Sequence, residues 1–206
     1  MSLIEDLSTD RLLAIVRGND VEASIATALA LVDEGVRSLE VSLSSAEALT
    51  VLAEVSSALG DRVRLGAGTV LTPADVDAAL DNGATYIVTP AIAPSVATAV
   101  DRGVPVLCGA LTPTEVLTAL DAGADAVKLF PVSSMGPRYV KDLRAPFPNT
   151  PFIPVGGVGV AEAERFLADG AIAVGVASPL LGDAANGGDL DALRERARGF
   201  LSAVHR

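Results

Sequence analysis

Short apolar runs alternate along the chain with stretches whose apolar residues recur at helical spacing. Leu12–Val16, Ser38–Val41, Val63–Leu65, Tyr86–Thr89, Val104–Leu107, Ala126–Phe130, Phe152–Val155 and Ile172–Val176 read as buried strands, short and bounded by turn residues. Between them, Val21–Asp33, Ala46–Leu59, Ala74–Leu80, Ser95–Val100, Thr114–Leu120, Arg138–Leu143, Ala161–Ala168 and Leu190–Val204 carry the 3.6-residue period of amphipathic helices. Leu3–Arg11 adds a further helix at the N-terminus. A punctuation recurs before the strands: Asp33-Glu34-Gly35, Asp81-Asn82-Gly83, Asp101-Arg102-Gly103, Asp121-Ala122-Gly123 and Asp169-Gly170. Glycine just past a helical stretch supplies the left-handed terminator. Thr72-Pro73 and Thr112-Pro113 place a side-chain cap at a helix start and proline in its first turn.

Eight alternating strand and helix units predict an α/β chain folded as a (β/α)8 TIM barrel with an extra N-terminal helix, a single domain over residues 1–206. The rival is an open doubly wound sheet, which needs a reversal of strand order. Gly66-Ala67-Gly68 lacks the third glycine of a dinucleotide fingerprint. No linker or low-complexity segment interrupts the alternation, and Gly182–Asp189 reads as a surface loop before the last helix.

Composition narrows the chemistry. Hydrophobic residues are 50% of the chain but aromatics only 3%, so the core is built from Ala, Val and Leu. The net charge of -11 argues against nucleic acid as a partner and requires local groups to hold any anionic substrate. One cysteine, Cys108, and one histidine, His205, make a disulfide framework, a histidine triad or a Cys/His metal site a poor expectation. No apolar run reaches the roughly 18 residues of a membrane span, and the N-terminus lacks a basic segment followed by an apolar one. The expectation is a cytoplasmic protein with no membrane partner, no metal and no cofactor.

Lysine usage points to the site. Only Lys128 and Lys141 of the 15 basic Lys and Arg residues are lysine, yet Lys128 sits inside the apolar run Asp125–Pro131. A lysine can lose its proton and attack a carbonyl, which an arginine cannot do. In barrels of this kind the chemistry lies at the C-terminal strand ends. Alternation puts Ala126, Lys128 and Phe130 on one face of the sixth strand, Ser38, Glu40 and Ser42 on one face of the second, and Leu13, Ile15 and Arg17 on one face of the first. One acid and two bases can thus converge at the barrel mouth. A buried Lys128–Glu40 pair that only sets strand register is the plainer reading. The sharper one is a Schiff-base lysine, a carboxylate proton shuttle and an arginine on a substrate carboxylate. Gly156-Gly157 after the seventh strand and Ala177-Ser178 after the eighth stand where barrels bind phosphate through backbone N–H groups.

These residues resemble the class I 2-keto-3-deoxy-6-phosphogluconate / 4-hydroxy-2-oxoglutarate (KDPG/KHG) aldolase family. The likeness rests on Ala14–Gly18, Leu39–Leu43, Gly66–Leu71, Ile87–Pro90, Lys128–Pro131 and Val155–Val158, in that order along the chain. It implies a TIM barrel, usually a homotrimer, without metal, with Lys128 as the Schiff-base lysine and Glu40 as general acid/base. It also implies Arg17, Thr69 and Pro90 around the pyruvate moiety and Gly156, Gly157, Ala177 and Ser178 around a phosphate. The expected reaction cleaves a phosphorylated keto acid to pyruvate and glyceraldehyde 3-phosphate, or 4-hydroxy-2-oxoglutarate to pyruvate and glyoxylate. Ser44 stands where many gluconate-type members carry arginine, and Val155 where many carry threonine. With Ser133–Lys141 this looks more like the 2-dehydro-3-deoxy-6-phosphogalactonate branch. Two alternatives remain: an isomerase or epimerase using Glu40 as base, and a non-enzymatic barrel that binds a phosphorylated metabolite.

Overall fold

The computed structural model describes residues 2–206. Eight parallel strands, β1 (Leu12–Val16), β2 (Ser38–Ser42), β3 (Arg64–Gly68), β4 (Tyr86–Val88), β5 (Val106–Ala110), β6 (Ala126–Leu129), β7 (Phe152–Pro154) and β8 (Val174–Val176), pair in the order β7-β6-β5-β4-β3-β2-β1-β8. The ends of this order meet through the parallel bridge Val155–Gly175 and a hydrogen bond from the Ile172 N–H to the Phe152 carbonyl at 3.0 Å, which brings the sheet round into a barrel. Sequential neighbours and no reversal of order set aside the doubly wound alternative.

The helices are α1 (Leu3–Asp10), α2 (Val21–Asp33), α3 (Ala48–Leu59), α4 (Pro73–Asp81), α5 (Pro94–Asp101), α6 (Pro113–Asp121), α7 (Arg138–Arg144), α8 (Val160–Ala168), α9 (Ser178–Leu181) and α10 (Leu190–Val204). Their starts follow the local chemistry. Thr72 and Thr112 each form a reciprocal capping box with the acid three residues on, Asp75 and Glu115, and proline follows each cap. None of the described helices is long and apolar enough to cross a membrane.

Side-chain parity divides the core in two. Leu12, Ala14 and Val16, with Leu39, Val41, Ala67 and Val127, face outward and pack under the helices. Leu13, Ile15, Tyr86, Val88, Leu107, Ala126 and Ile153 fill the barrel interior. Cys108 belongs to the outer layer and is buried. Leu3 and Leu7 of α1 join the interior set, so the N-terminal helix stops the N-terminal end of the barrel. It is tied there by Arg64 to Asp6 at 2.6 Å and by the Ser38 hydroxyl, which donates to Asp10 at 2.9 Å. With one end stopped, the other end is where a substrate can enter.

Two segments differ from the sequence expectation. The 182–189 stretch is not a plain surface loop: Ala184 and Ala185 are buried, and the Ser24 hydroxyl of α2 donates to the Ala185 carbonyl at 3.3 Å. Gly18 permits this approach, since a side chain there would overlap the Ala185 carbonyl. The one-turn helix α9 directly follows β8, too short to leave a period in the sequence.

Candidate active site

The C-terminal ends of the strands open into one cavity of about 590 Å³. Its wall holds Arg17, Glu40, Thr69, Pro90, Lys128, Gly156, Gly157, Ala177 and Ser178, all nine residues singled out from sequence, together with Ile15, Phe130, Val155 and Pro179. A second cavity of about 540 Å³ lies at the opposite end, around Asp6, Asp10, Arg37, Arg62 and Arg64. Most of its charges are engaged with one another or with nearby groups: Arg64 pairs with Asp6, Arg62 with Asp33, Asp10 accepts from Ser38, and Arg37 donates to the Val32 carbonyl. Its lining holds no lysine, cysteine or histidine, and the lysine and carboxylate singled out from sequence lie at the mouth instead.

Each functional side chain is placed by its strand. Lys128 on β6 and Glu40 on β2 both point inward, and β5, β4 and β3 separate them around the barrel wall. Their side chains reach across the interior until Lys128 Nζ lies 3.5 Å from Glu40 Oε1. That is long for a charge-assisted hydrogen bond, which is usually about 2.7–2.9 Å. Glu40 is fully buried, and its second oxygen, Oε2, has no hydrogen-bond partner among the described residues. A buried carboxylate that engages its neighbour loosely with one oxygen and nothing with the other is poorly arranged for structure alone. It is well arranged to accept a proton from a bound molecule. The lysine ammonium position also stands 5.7 Å from the Phe130 ring centroid, within reach of a cation–π contact.

Gly68 makes room for this carboxylate. It faces inward from β3 beside Glu40, and a Cβ there would overlap the Glu40 carboxylate. Thr69, the next residue, has a left-handed backbone (φ +60°). This is rare for a β-branched residue and is a form of strain that collects at functional sites. Its hydroxyl is within 2.9 Å of the Ser42 hydroxyl, which in turn is 2.8 Å from that of Ser44. A short file of hydroxyls therefore runs from Ser44, just past the end of β2, through Ser42 to Thr69 in the cavity wall.

Opposite, Gly156 and Gly157 take φ +111° and +69°, a backbone that other residues rarely adopt. Their loop adjoins Ala177-Ser178 at the same cavity. Arg17, exposed at the end of β1, lines it as well. Among the described residues no group of three or more His, Cys, Asp or Glu side chains could hold a metal ion.

Sequence reasoning gave no place in the site to Tyr86 or Gly68, nor to Ile15, Phe130 and Val155 as a hydrophobic wall. Ile15 and Phe130 were available from the same parity that placed Arg17 and Lys128. Val155 was noticed as a departure from the family pattern but not as a wall residue.

The barrel that holds this lysine and carboxylate in its mouth is that of a lyase. A family model described as "Aldolase: KDPG and KHG aldolase" matches residues 3–195, and the chain belongs to that family. The 2-dehydro-3-deoxy-6-phosphogalactonate aldolase of Escherichia coli (strain K12) is 39% identical over 171 residues, 82% of this chain and 83% of its own. The 2-dehydro-3-deoxy-phosphogluconate aldolase of Treponema pallidum (strain Nichols) is 32% identical over 170 residues, 82% of this chain and 80% of its own. The solved "Native KDPGal structure" superposes with a TM-score of 0.88 at 35% identity and 94% coverage of each chain.

Proposed function

We propose that the protein is a class I aldolase that cleaves a 2-keto-3-deoxy-6-phospho sugar acid to pyruvate and glyceraldehyde 3-phosphate. The observation that carries this reading is the 3.5 Å approach of Lys128 Nζ to Glu40 Oε1 in the wall of the cavity shared with Arg17 and the Gly156-Gly157 loop.

The uncharged Lys128 amine adds to the C2 ketone. Glu40 delivers a proton to the C2 oxygen, which leaves as water, and an iminium forms. Glu40 then accepts the C4 hydroxyl proton, the C3–C4 bond breaks, and its electron pair moves into the iminium to give an enamine. The aldehyde, glyceraldehyde 3-phosphate, departs. Glu40 protonates the enamine carbon; water then adds to the regenerated iminium and passes a proton back to Glu40, and collapse of the carbinolamine releases pyruvate and frees the neutral lysine. Arg17, with Thr69 and Pro90, holds the pyruvate carboxylate end. Gly156, Gly157, Ala177 and Ser178 hold the phosphate through backbone N–H groups and the Ser178 hydroxyl. The galactonate epimer is the preferred substrate. Val155 in the cavity wall, Ser44 linked through Ser42 to Thr69, and the 39% identical phosphogalactonate aldolase all favour it. An isomerase or epimerase would leave Lys128 unmodified.

The chain acts as one domain over residues 1–206 and assembles as a homotrimer. A protein cage designed by fusing symmetric oligomeric domains, 34% identical with a TM-score of 0.88, supports an oligomer.

Incubation with pyruvate and borohydride, followed by peptide mass spectrometry, tests the chemistry. The expected result is reduced pyruvate on Lys128 and none in Lys128→Arg, with cleavage lost by more than about a thousandfold, since arginine does not deprotonate. An active enzyme with Lys128 unlabelled overturns the reading. Parallel kinetics on the galactonate and gluconate epimers and on 4-hydroxy-2-oxoglutarate test the substrate.

A further inference from the structure

Tyr86 lies wholly inside the barrel, beneath the cavity, and the reaction above gives it no part. It is the largest of the fully buried side chains in a chain with few aromatics. Its ring lies against Gly66 of β3, where any Cβ would overlap it. Its hydroxyl passes over that glycine to β2 and donates to the Leu39 carbonyl at 2.6 Å. Leu39 is the residue before Glu40, so this bond grips the peptide plane from which the Glu40 side chain departs. A carbonyl oxygen has two lone pairs, so the phenol can hold Leu39 in addition to the sheet.

The inward positions of β3 serve this arrangement twice. Gly66 admits the Tyr86 ring from β4, and Gly68, one inward position further along, admits the Glu40 carboxylate from β2. The glycines leave Glu40 without side-chain support from β3, although a carboxylate that takes part in four successive proton transfers needs its position held. Burial pushes the Tyr86 hydroxyl well above the ordinary tyrosine range, and the nearby Glu40 and Asp10 carboxylates push the same way. The phenol therefore stays a donor at any pH at which the enzyme works.

We propose that Tyr86 is a positioning residue for the reaction, fixing the backbone of Glu40 through the Leu39 carbonyl so that the carboxylate is held toward Lys128 rather than sharing its buried space among several rotamers. The inference rests on the proposed role of Glu40. It adds that the barrel floor, not only the mouth, sets the geometry of proton transfer.

A double-mutant cycle tests it on the full chain with its preferred phosphorylated keto acid. Tyr86→Phe keeps the ring over Gly66 and removes only the hydroxyl. Its kcat should fall about fivefold, the factor associated with one net hydrogen bond, with KM within about twofold of the parent. In a Glu40→Gln background, assayed at enzyme concentrations raised until the residual rate is measured, the same change should cost less than about twofold, because there is no longer a proton-transferring carboxylate to position. Equal losses in the two backgrounds, a rise in KM with kcat unchanged, or full activity in Tyr86→Phe overturns the proposal. Borohydride trapping of pyruvate on Lys128 in the parent tests the aldolase reading independently, so a failure of that reading is distinguishable from a failure of the role given to Tyr86.

Discussion

At the scale of single residues, glycine decides as much as the charged groups do. Gly68 is the position where the lack of a side chain is used most directly, since a methyl there falls on the Glu40 carboxylate. Gly68→Ala is expected to lower kcat at least about tenfold, because even sub-ångström displacement of a reacting group is costly. Gly199 is the control. It lies inside α10 with open space where a methyl group would stand, so Gly199→Ala should leave activity unchanged and raise stability by about 0.5–1 kcal/mol. Steady-state kinetics with urea titrations on the pair check this. The charged residues themselves were legible from sequence, because strand parity is a strict period of two and the strand ends point to the mouth. Tyr86 was not, because its hydroxyl partner lies 47 residues away across an intervening strand.

At the scale of elements, the starts of α4 and α6 show how local chemistry sets boundaries. The Glu115 carboxylate accepts from the Thr112 N–H at 2.7 Å and the Leu111 N–H at 2.9 Å. These bonds, then the Thr112 hydroxyl, hold its carboxyl below the usual range against a smaller effect of burial. A carboxyl held low in the folded state contributes stability that is present above its ordinary range and is lost as pH falls through its folded value. Thr112→Ala is expected to cost about 1 kcal/mol at pH 7 with activity unchanged. The parent's own stability should decline as pH falls below the ordinary carboxylate range, since Glu115 and Asp75 are both held low in the folded state; at Asp75 burial opposes this, and the hydrogen bonds from Thr72 and Leu71 outweigh it. Urea unfolding at pH 7 and at pH 3.5 checks both. Element ends moved where the sequence pattern was ambiguous. The fifth strand was expected at Val104–Leu107 and lies at Val106–Ala110, since Cys108, Gly109 and Ala110 give a weak strand signal until β4 and β6 flank them.

At the scale of the molecule, the barrel has a stopped end and a working end. Leu7 of α1 is fully buried among the interior residues, at the opposite end from Lys128. Leu7→Ala should cost about 2–5 kcal/mol in urea unfolding, the range for deleting a large buried aliphatic side chain. The same variant should keep its kcat at 25 °C, because the plug does not line the cavity. A parallel loss of kcat would mean that the two ends communicate through the interior layer that holds Tyr86.

The sequence by itself determined the alternation of strands and helices, the face of each strand and the pairing of Lys128 with Glu40 as candidates. Those properties follow from periods of 2 and 3.6 residues and from the chemistry of single side chains, which are local. Only the tertiary structure decided that the sheet closes, that α1 stops one end, and that Gly68 clears a space for the carboxylate. It also decided that a phenol reaches across β3 to the residue before Glu40. Those depend on distances between residues far apart in the chain, and no local period carries them.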